Sequence, residues 1–305
     1  RTHYDYILGL STNQERLDAC NLGTAARNYF DAFELAKNCG YDRPQYKSLA
    51  LGICDFMVDD QQASGRYGKA WNIEGECIDR EGTIGAFLIM PMLKAGEVTG
   101  NNVYLESARK AYDYYMDNFK ENGYTSAGAL DTYCIDKESA ITLLRSSIKL
   151  FEMTDSLSYL DDAEAVSWYL STWMWHYEAS YDIDSDFERY NWSTMGGTSV
   201  SVQHHHLDPY ALFWVSEWFR LSELTGNDIW KEKAMAIWHN GCQLISDGNL
   251  RIHGHVRPAG SQNEGFINCN WRGEPGTVND WLVAWPTAFR LETLRKMDWD
   301  EFGGK

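Results

Sequence analysis

Three phrases decide the fold: GEVTGNNVYLESARKAY (residues 96–112), FEMTDSLSYLDDAEAVSWY (151–169) and SELTGNDIWKEKAMAIW (222–238). Each closes one helical run with an acid, an apolar residue and a threonine. Each then turns within a few residues and opens the next run beside an aromatic residue. The threonines stand at 99, 154 and 225, with spacings of 55 and 71 residues, so the unit repeats with insertions of variable length. A helix, a tight turn and a returning helix make an αα-hairpin, and its recurrence marks a repeat architecture.

Outward from these turns, helical punctuation predicts helices over 22–40, 44–60, 83–98, 104–119, 139–153, 159–177, 209–224, 229–245 and 278–296. The first helix of each pair is the more apolar (GAFLIMPMLKAGEV, ALFWVSEWFRLSEL), whereas the second carries charge along one side (YLESARKAYDYYMDNF). Two layers account for this difference: inner helices buried all round and outer helices with one wet face. The turns from inner to outer helix are short. The returning links are long, running over 59–82, 120–137, 179–207 and 247–277. In a row of antiparallel hairpins all long links fall on one face, and functional residues concentrate on loops held by a rigid scaffold. Residues 1–21 read as an irregular lead-in, and the whole chain as one domain.

Composition bounds the function. Of the 305 residues 44% are hydrophobic, enough for a full core, and 14% are aromatic, including 13 Trp. Such an aromatic surplus packs cores or offers flat faces to sugars. A net charge of −17 makes nucleic acid and anionic membrane poor partners. No apolar run approaches the ~18 residues of a membrane span. Seven scattered cysteines without CxxC spacing read as free thiols, which leans towards a reducing, cytoplasmic setting; the triplet Asn191-Trp192-Ser193 has the form of a glycosylation acceptor and points the other way. The chain starts at Arg1, and we read it as processed or as part of a longer protein.

Alternating inner and outer helices joined by short turns resemble the α/α toroid of the six-hairpin glycosidase superfamily, over nearly the whole chain from Leu22 to Lys296. The resemblance implies an all-α fold and a site in the funnel at the N-terminal ends of the inner helices. It implies activity among glycoside hydrolases, unsaturated uronyl hydrolases, uronate lyases and sugar epimerases. The sequence supplies five inner and four outer helices, where a closed six-hairpin ring needs twelve. The missing hairpins precede Arg1, or the segment before Leu22 contributes one, or the toroid is open.

The stretch SYDIDSDFERYNWSTMGGTSVSVQHHHLDPY (180–210) has a mixture no core requires and reads as one wall of a substrate site. Asp131, Asp136 and Asp208, with Asp79, Glu81 and Glu138, lie at the entries to inner helices. They are candidates for paired-carboxylate chemistry or plain helix caps. The preferred catalytic pair is Asp136 with Asp208 or Asp131. His204 and His206, like His253 and His255, would point the same way in extended chain. They are read as proton-transfer or ligand contacts, with a metal site and a structural role as alternatives; no metal and no cofactor is assigned. Arg66, Trp71, Tyr190, Trp192, His253, His255, Arg257, Trp271 and Asp280 are assigned to substrate binding. The cations among them suggest a uronate carboxylate, unless they pair with neighbouring acids.

Three readings follow. The first is a hydrolase of an oligosaccharide or polysaccharide, uronate-containing. The second is a lyase in which His204, His206, Tyr133 or Tyr190 abstracts a proton. The third is a sugar-binding toroid without catalysis. There is no P-loop, GxSxG elbow, HExxH or dinucleotide fingerprint.

Overall fold

The computed structural model describes residues 3–5, 10–12, 16–126, 134–202, 207–267 and 274–297. Its contacts divide the chain into two compact units, Arg1–Leu150 and Phe151–Lys305. The first carries strands β1 (His3–Asp5), β2 (Leu10–Thr12) and β3 (Leu17–Asp18), then helices α1 (Ala19–Asn38) and α2 (Pro44–Asp60). After β4 (Ala70–Trp71) and β5 (Cys77–Asp79), a 3₁₀ turn over Ile84–Leu88 runs into α3 (Ile89–Thr99), followed by α4 (Asn102–Asn122). Next come β6 (Thr125–Ser126), β7 (Ile135–Asp136) and α5 (Glu138–Thr154), whose last turn falls in the second unit.

The second unit continues with α6 (Leu157–Thr172), the four-residue α7 (Asp186–Arg189), β8 (Thr198–Ser199) and β9 (Leu207–Asp208). A second 3₁₀ turn over Tyr210–Trp214 leads into α8 (Val215–Thr225), then α9 (Ile229–Gly241). The chain ends its described part with β10 (Arg251–Ile252), β11 (His255–Val256) and α10 (Trp285–Lys296).

Burial separates inner from outer most clearly at α5, whereas α10, expected as an inner helix, buries only Pro286, Arg290 and Thr293. In α5, 12 of 17 residues are buried, against three of 17 in α2, Ala50, Cys54 and Met57. The outer helix α4 buries one stripe, Tyr104, Ala108, Ala111, Tyr115 and Phe119 among it, at helical spacing. In the second unit tryptophans cement the packing. Trp214, Trp218 and Trp230 are fully buried, and ring centroids run 5.9 Å, 5.7 Å and 4.8 Å along Trp214–Trp218–Trp230–Trp168.

The recurring threonine has a local physical role. Thr99 and Thr225 are the last residues of α3 and α8. Each hydroxyl donates to the carbonyl four residues back (Ala95 and Leu221, 2.6 and 2.7 Å) and accepts the amide of Asn101 or Asn227. Gly100 and Gly226 follow at φ 70° and 68°, the left-handed stop that glycine adopts at least cost. Asn101 then accepts the amide of Val103 and caps α4, and Asn227, one residue ahead of the α9 cap position, accepts the amide of Ile229. Thr-Gly-Asn is therefore a complete stop-and-start cassette. At the middle hairpin Asp155 takes the positive φ, 55°, in place of glycine.

The links depart from the irregular loops expected. Short antiparallel ladders join β3–β4–β5, β6–β7, β8–β9 and β10–β11. Helix boundaries also move, and α9 stops at Gly241, four residues before the expected 245. α10 begins at Trp285 instead of 278, because Val278 and Leu282 bridge to Phe266 and Asn263 in extended chain and Pro286 marks the helix start. α6 stops at Thr172, and Met174 instead bridges to Thr198. In the lead-in, β1 pairs with β2, and α1 starts three residues earlier than expected.

Within each unit the two long links meet. In the first, Thr83, just past the end of one link, donates to the Ser126 carbonyl of the other at 3.1 Å, and Ala19 at the start of α1 donates to the Lys69 carbonyl at 2.9 Å. In the second, Leu207 and Phe266 exchange backbone bonds of 2.8 Å, and Asp186 accepts the Val278 amide at 2.9 Å. Gly265 permits that approach: at φ 155° a Cβ there would run into the Leu207 carbonyl oxygen.

Candidate functional site

Four aspartates occupy equivalent places. Asp18, Asp79, Asp136 and Asp208 each end a short strand just ahead of an inner helix or its 3₁₀ lead-in. Three of them accept the amide two residues on: Asp79 from Glu81 (2.9 Å), Asp136 from Glu138 (3.3 Å) and Asp208 from Tyr210 (3.0 Å). This turn is one that aspartate favours before a helix. In two ladders a threonine stands opposite, Thr125 to Asp136 and Thr198 to Asp208. The Thr125 hydroxyl donates to the Asp136 carbonyl at 2.7 Å, and that of Thr198 to the Asp208 carboxylate at 3.1 Å. The sequence carries this pattern as an apolar residue followed by Asp (LD, CID, CID, LD). The sequence reading took up three of the four, Asp79, Asp136 and Asp208, and missed Asp18.

In the first unit these entries form a buried ionic cluster. Asp136 is 1% exposed, Lys137 0% and Lys69 2%, with Glu138 and Asp18 also buried. The Lys69 ammonium lies 3.4 Å from Asp79, and its charge also acts on Asp18 and Asp136. Its backbone bonds both neighbours of β4, giving its carbonyl to Ala19 and its amide to Asp79 at 2.7 Å. Burial pushes the Asp136 carboxyl well above the usual carboxylate range. The Glu138 charge pushes the same way, against the pull of Lys137 and Lys69. Burial likewise raises Asp18, despite a 2.7 Å bond from Arg16. Lys69 is the member of this cluster that the sequence reading did not single out.

The second unit brings together three of the predicted binding residues, His253, Arg257 and Asp280, around Asp186, which the sequence reading did not single out. His253 lies 2.8 Å from Asp186 through Nε2 and 2.9 Å from Asp280 through Nδ1; Arg257 donates to Asp280 at 2.8 Å. Tyr190 stands beside them and donates to the Arg251 carbonyl at 3.0 Å. His253 does not form an extended HxH pair with His255. It sits at φ 48°, followed by Gly254 at φ 82°, as the two-residue turn between β10 and β11. His255 is exposed on β11. Among the described residues no group of His, Cys, Asp and Glu is arranged to hold a metal ion.

Trp71 and Trp192 are corrected as sugar platforms. Trp71 is fully buried with Phe56 edge-on at 5.7 Å, and Trp192 is 5% exposed with Phe266 at 4.6 Å. Neither offers a ring face to solvent. Arg66 lies over the Tyr114 ring of the outer helix α4, at 5.8 Å. Other cations of the long links are paired inside the fold, Arg80 with Asp60 (2.7 Å), Lys69 with Asp79 and Arg189 with Asp186 (2.7 Å). Internal pairing thus accounts for charges that had pointed to a uronate. Asp131, Tyr133, His204, His206 and Trp271 lie outside the described residues. The six described cysteines are free thiols.

No protein-family model matches the sequence, and neither does any curated protein. Solved structures do match. A GH76 alpha-mannanase from Bacteroides thetaiotaomicron superposes with a TM-score of 0.60 at 18% identity, covering 94% of this chain and 72% of that one. A D-mannose isomerase gives 0.61 at 10% identity over 94% and 73%. A cellobiose 2-epimerase from Spirochaeta thermophila gives 0.52 at 12% identity over 94% and 88%. The chain shares the all-α fold of these structures, the α/α-toroid class of antiparallel helical hairpins.

Proposed function

We propose that the protein is a carbohydrate-active enzyme and, within that class, a glycoside hydrolase whose proton donor is Asp136. The observation that carries this reading is the place of Asp136, buried at the entry to an inner helix beside Glu138, where burial and that neighbouring charge push its carboxyl well above the usual carboxylate range. A general acid must hold its proton at working pH and release it to the leaving oxygen as the glycosidic bond breaks. A second, ionised carboxylate then activates water or attacks the anomeric carbon. Asp208, the partner nominated from sequence, and Asp79, which stands beside the Lys69 ammonium, are the carboxylates to test for that role. Fold likeness to an alpha-mannanase, a mannose isomerase and a cellobiose 2-epimerase supports a sugar substrate.

The test is a panel of neutral and uronate oligosaccharides read three ways: new reducing ends, ultraviolet absorbance of unsaturated product, and epimerised sugar. Hydrolysis is expected, with Asp136→Asn folded and slower by about 100-fold or more. The ionised partner is the aspartate whose Asn variant is equally slow and regains turnover with azide. Unsaturated or epimerised product in place of reducing ends would overturn hydrolysis. Unchanged turnover in Asp136→Asn would place that carboxyl in the core and not at the reaction.

A further inference from the structure

The His253 cluster is more than a set of surface ion pairs, because one imidazole ties three separate segments of the second unit. Asp186 comes from α7, His253 from the tip of the β10–β11 hairpin, and Asp280 from the extended run ahead of α10. Asp186 is 4% exposed at its side chain, and besides His253 it accepts Arg189 at 2.7 Å and the Val278 amide at 2.9 Å. Asp280 is 60% exposed and takes both Arg257 and His253 on the same oxygen. Beneath the clamp lies an apolar cluster of Phe187, Trp192, Leu207, Ile252, Phe266 and Val278.

We propose that His253 is a pH-sensitive latch, closed as the imidazolium and released as the neutral ring, that holds the 276–284 segment against α7 and the β10–β11 hairpin. The geometry requires two donors. Each ring nitrogen faces a carboxylate oxygen within 2.9 Å, and only the protonated ring carries a hydrogen on both. Once the proton leaves, one nitrogen turns a lone pair on an anion, and that contact changes from charge-assisted bond to repulsion. Asp186 is buried and braced by two other donors, so the exposed Asp280 is the side that gives way.

Among the described residues the charges acting on the ring are Asp186 and Asp280, themselves held by Arg189 and Arg257. Asp186 and Arg189 come from α7, Asp280 from the segment before α10, and Arg257 from the strand end after the hairpin. The Tyr190 hydroxyl stands at the edge, under the influence of Asp186, Arg189 and Arg257. The bond to Asp186, then that to Asp280, raises His253 above its ordinary 6.5, outweighing partial burial. A histidine raised by folding stabilises the closed form fully below its unfolded value. That contribution is lost as pH climbs through the folded one. The release has a route to Asp208: Val278 bridges to Phe266, and Phe266 pairs with Leu207, the strand neighbour of Asp208.

The latch is independent of any reaction, so its test needs no substrate. The imidazole of His253 is titrated by NMR in the intact chain. Amide exchange of 276–284, corrected for intrinsic pH dependence, is followed over the same range. The expected result is a midpoint above 6.5, with protection of 276–284 falling about tenfold or more as that midpoint is crossed, the scale of one charge-assisted bond. Asp280→Asn, at an exposed position, lowers the midpoint, and His253→Gln leaves exchange unresponsive to pH. A midpoint at or below 6.5 overturns the latch, as does a protection change that persists in His253→Gln. Should His253→Gln fail to fold, an unmoved midpoint in Asp280→Asn overturns it equally.

Discussion

Asp136→Asn tests the electrostatics of the first unit without any assay of turnover. Asparagine keeps the shape of the protonated carboxyl and cannot ionise. In the folded chain burial and Glu138 hold the Asp136 carboxyl well above its ordinary 3.8, whereas the unfolded chain titrates near that value. Between the two, the unfolded chain has lost a proton that the native chain still holds. The wild type therefore loses stability as pH rises through the window, at one proton's worth, about 1.4 kcal/mol per pH unit. The variant lacks this slope. Urea melts of both proteins at a series of pH values and fixed salt should give a difference near zero below 3.8. Above that it should grow at this rate in favour of the variant, until the native carboxyl ionises and the difference levels off. Asp18 is also raised by burial, but it is present in both proteins and cancels. Adding Glu138→Gln should narrow the window, because one of the two upward pushes is gone. A difference that stays flat, or that favours the wild type as pH rises, would mean the native carboxylate is ionised and well paired, and the argument for Asp136 as a proton donor would fall with it.

Two structural predictions accompany it. Asn101→Ala removes the side-chain acceptor at the start of α4 and should cost about 1 kcal/mol by urea melt, with no change in substrate turnover; a loss within error would show that Thr99 and Gly100 alone set the turn. Gly265→Ala should destabilise by about 3 kcal/mol or more, since that backbone region is closed to other residues and the new methyl meets the Leu207 carbonyl. A wild-type melting curve would refute the close approach of these strands.

The helices were legible because their signals are local. Thr-Gly-Asn at 99–101 and 225–227 ends one helix and opens the next within a few residues, and apolar content marks α3 and α8 as inner helices from their own residues. The ladders in the links were not legible. Leu207 and Phe266 are two-residue fragments of pattern until they meet across a long separation, and the run before α10 reads as helix because nothing local shows Val278 bound to Phe266. Trp71 and Trp192 illustrate the same limit, since an indole in a loop looks alike in sequence whether it faces a sugar or a phenylalanine.

By itself, then, the order of residues determined the layered helical hairpins, their turns and the aspartates at the helix entries, all consequences of backbone capping and burial periodicity within a few positions. Tertiary structure alone decided which of those aspartates is sealed from water beside Lys69 and Glu138, and which histidine is gripped between two carboxylates. The reason is physical: a carboxyl's proton affinity and an imidazole's charge depend on desolvation and on neighbours a few ångströms away, and distant stretches of chain supply those neighbours only once it has folded.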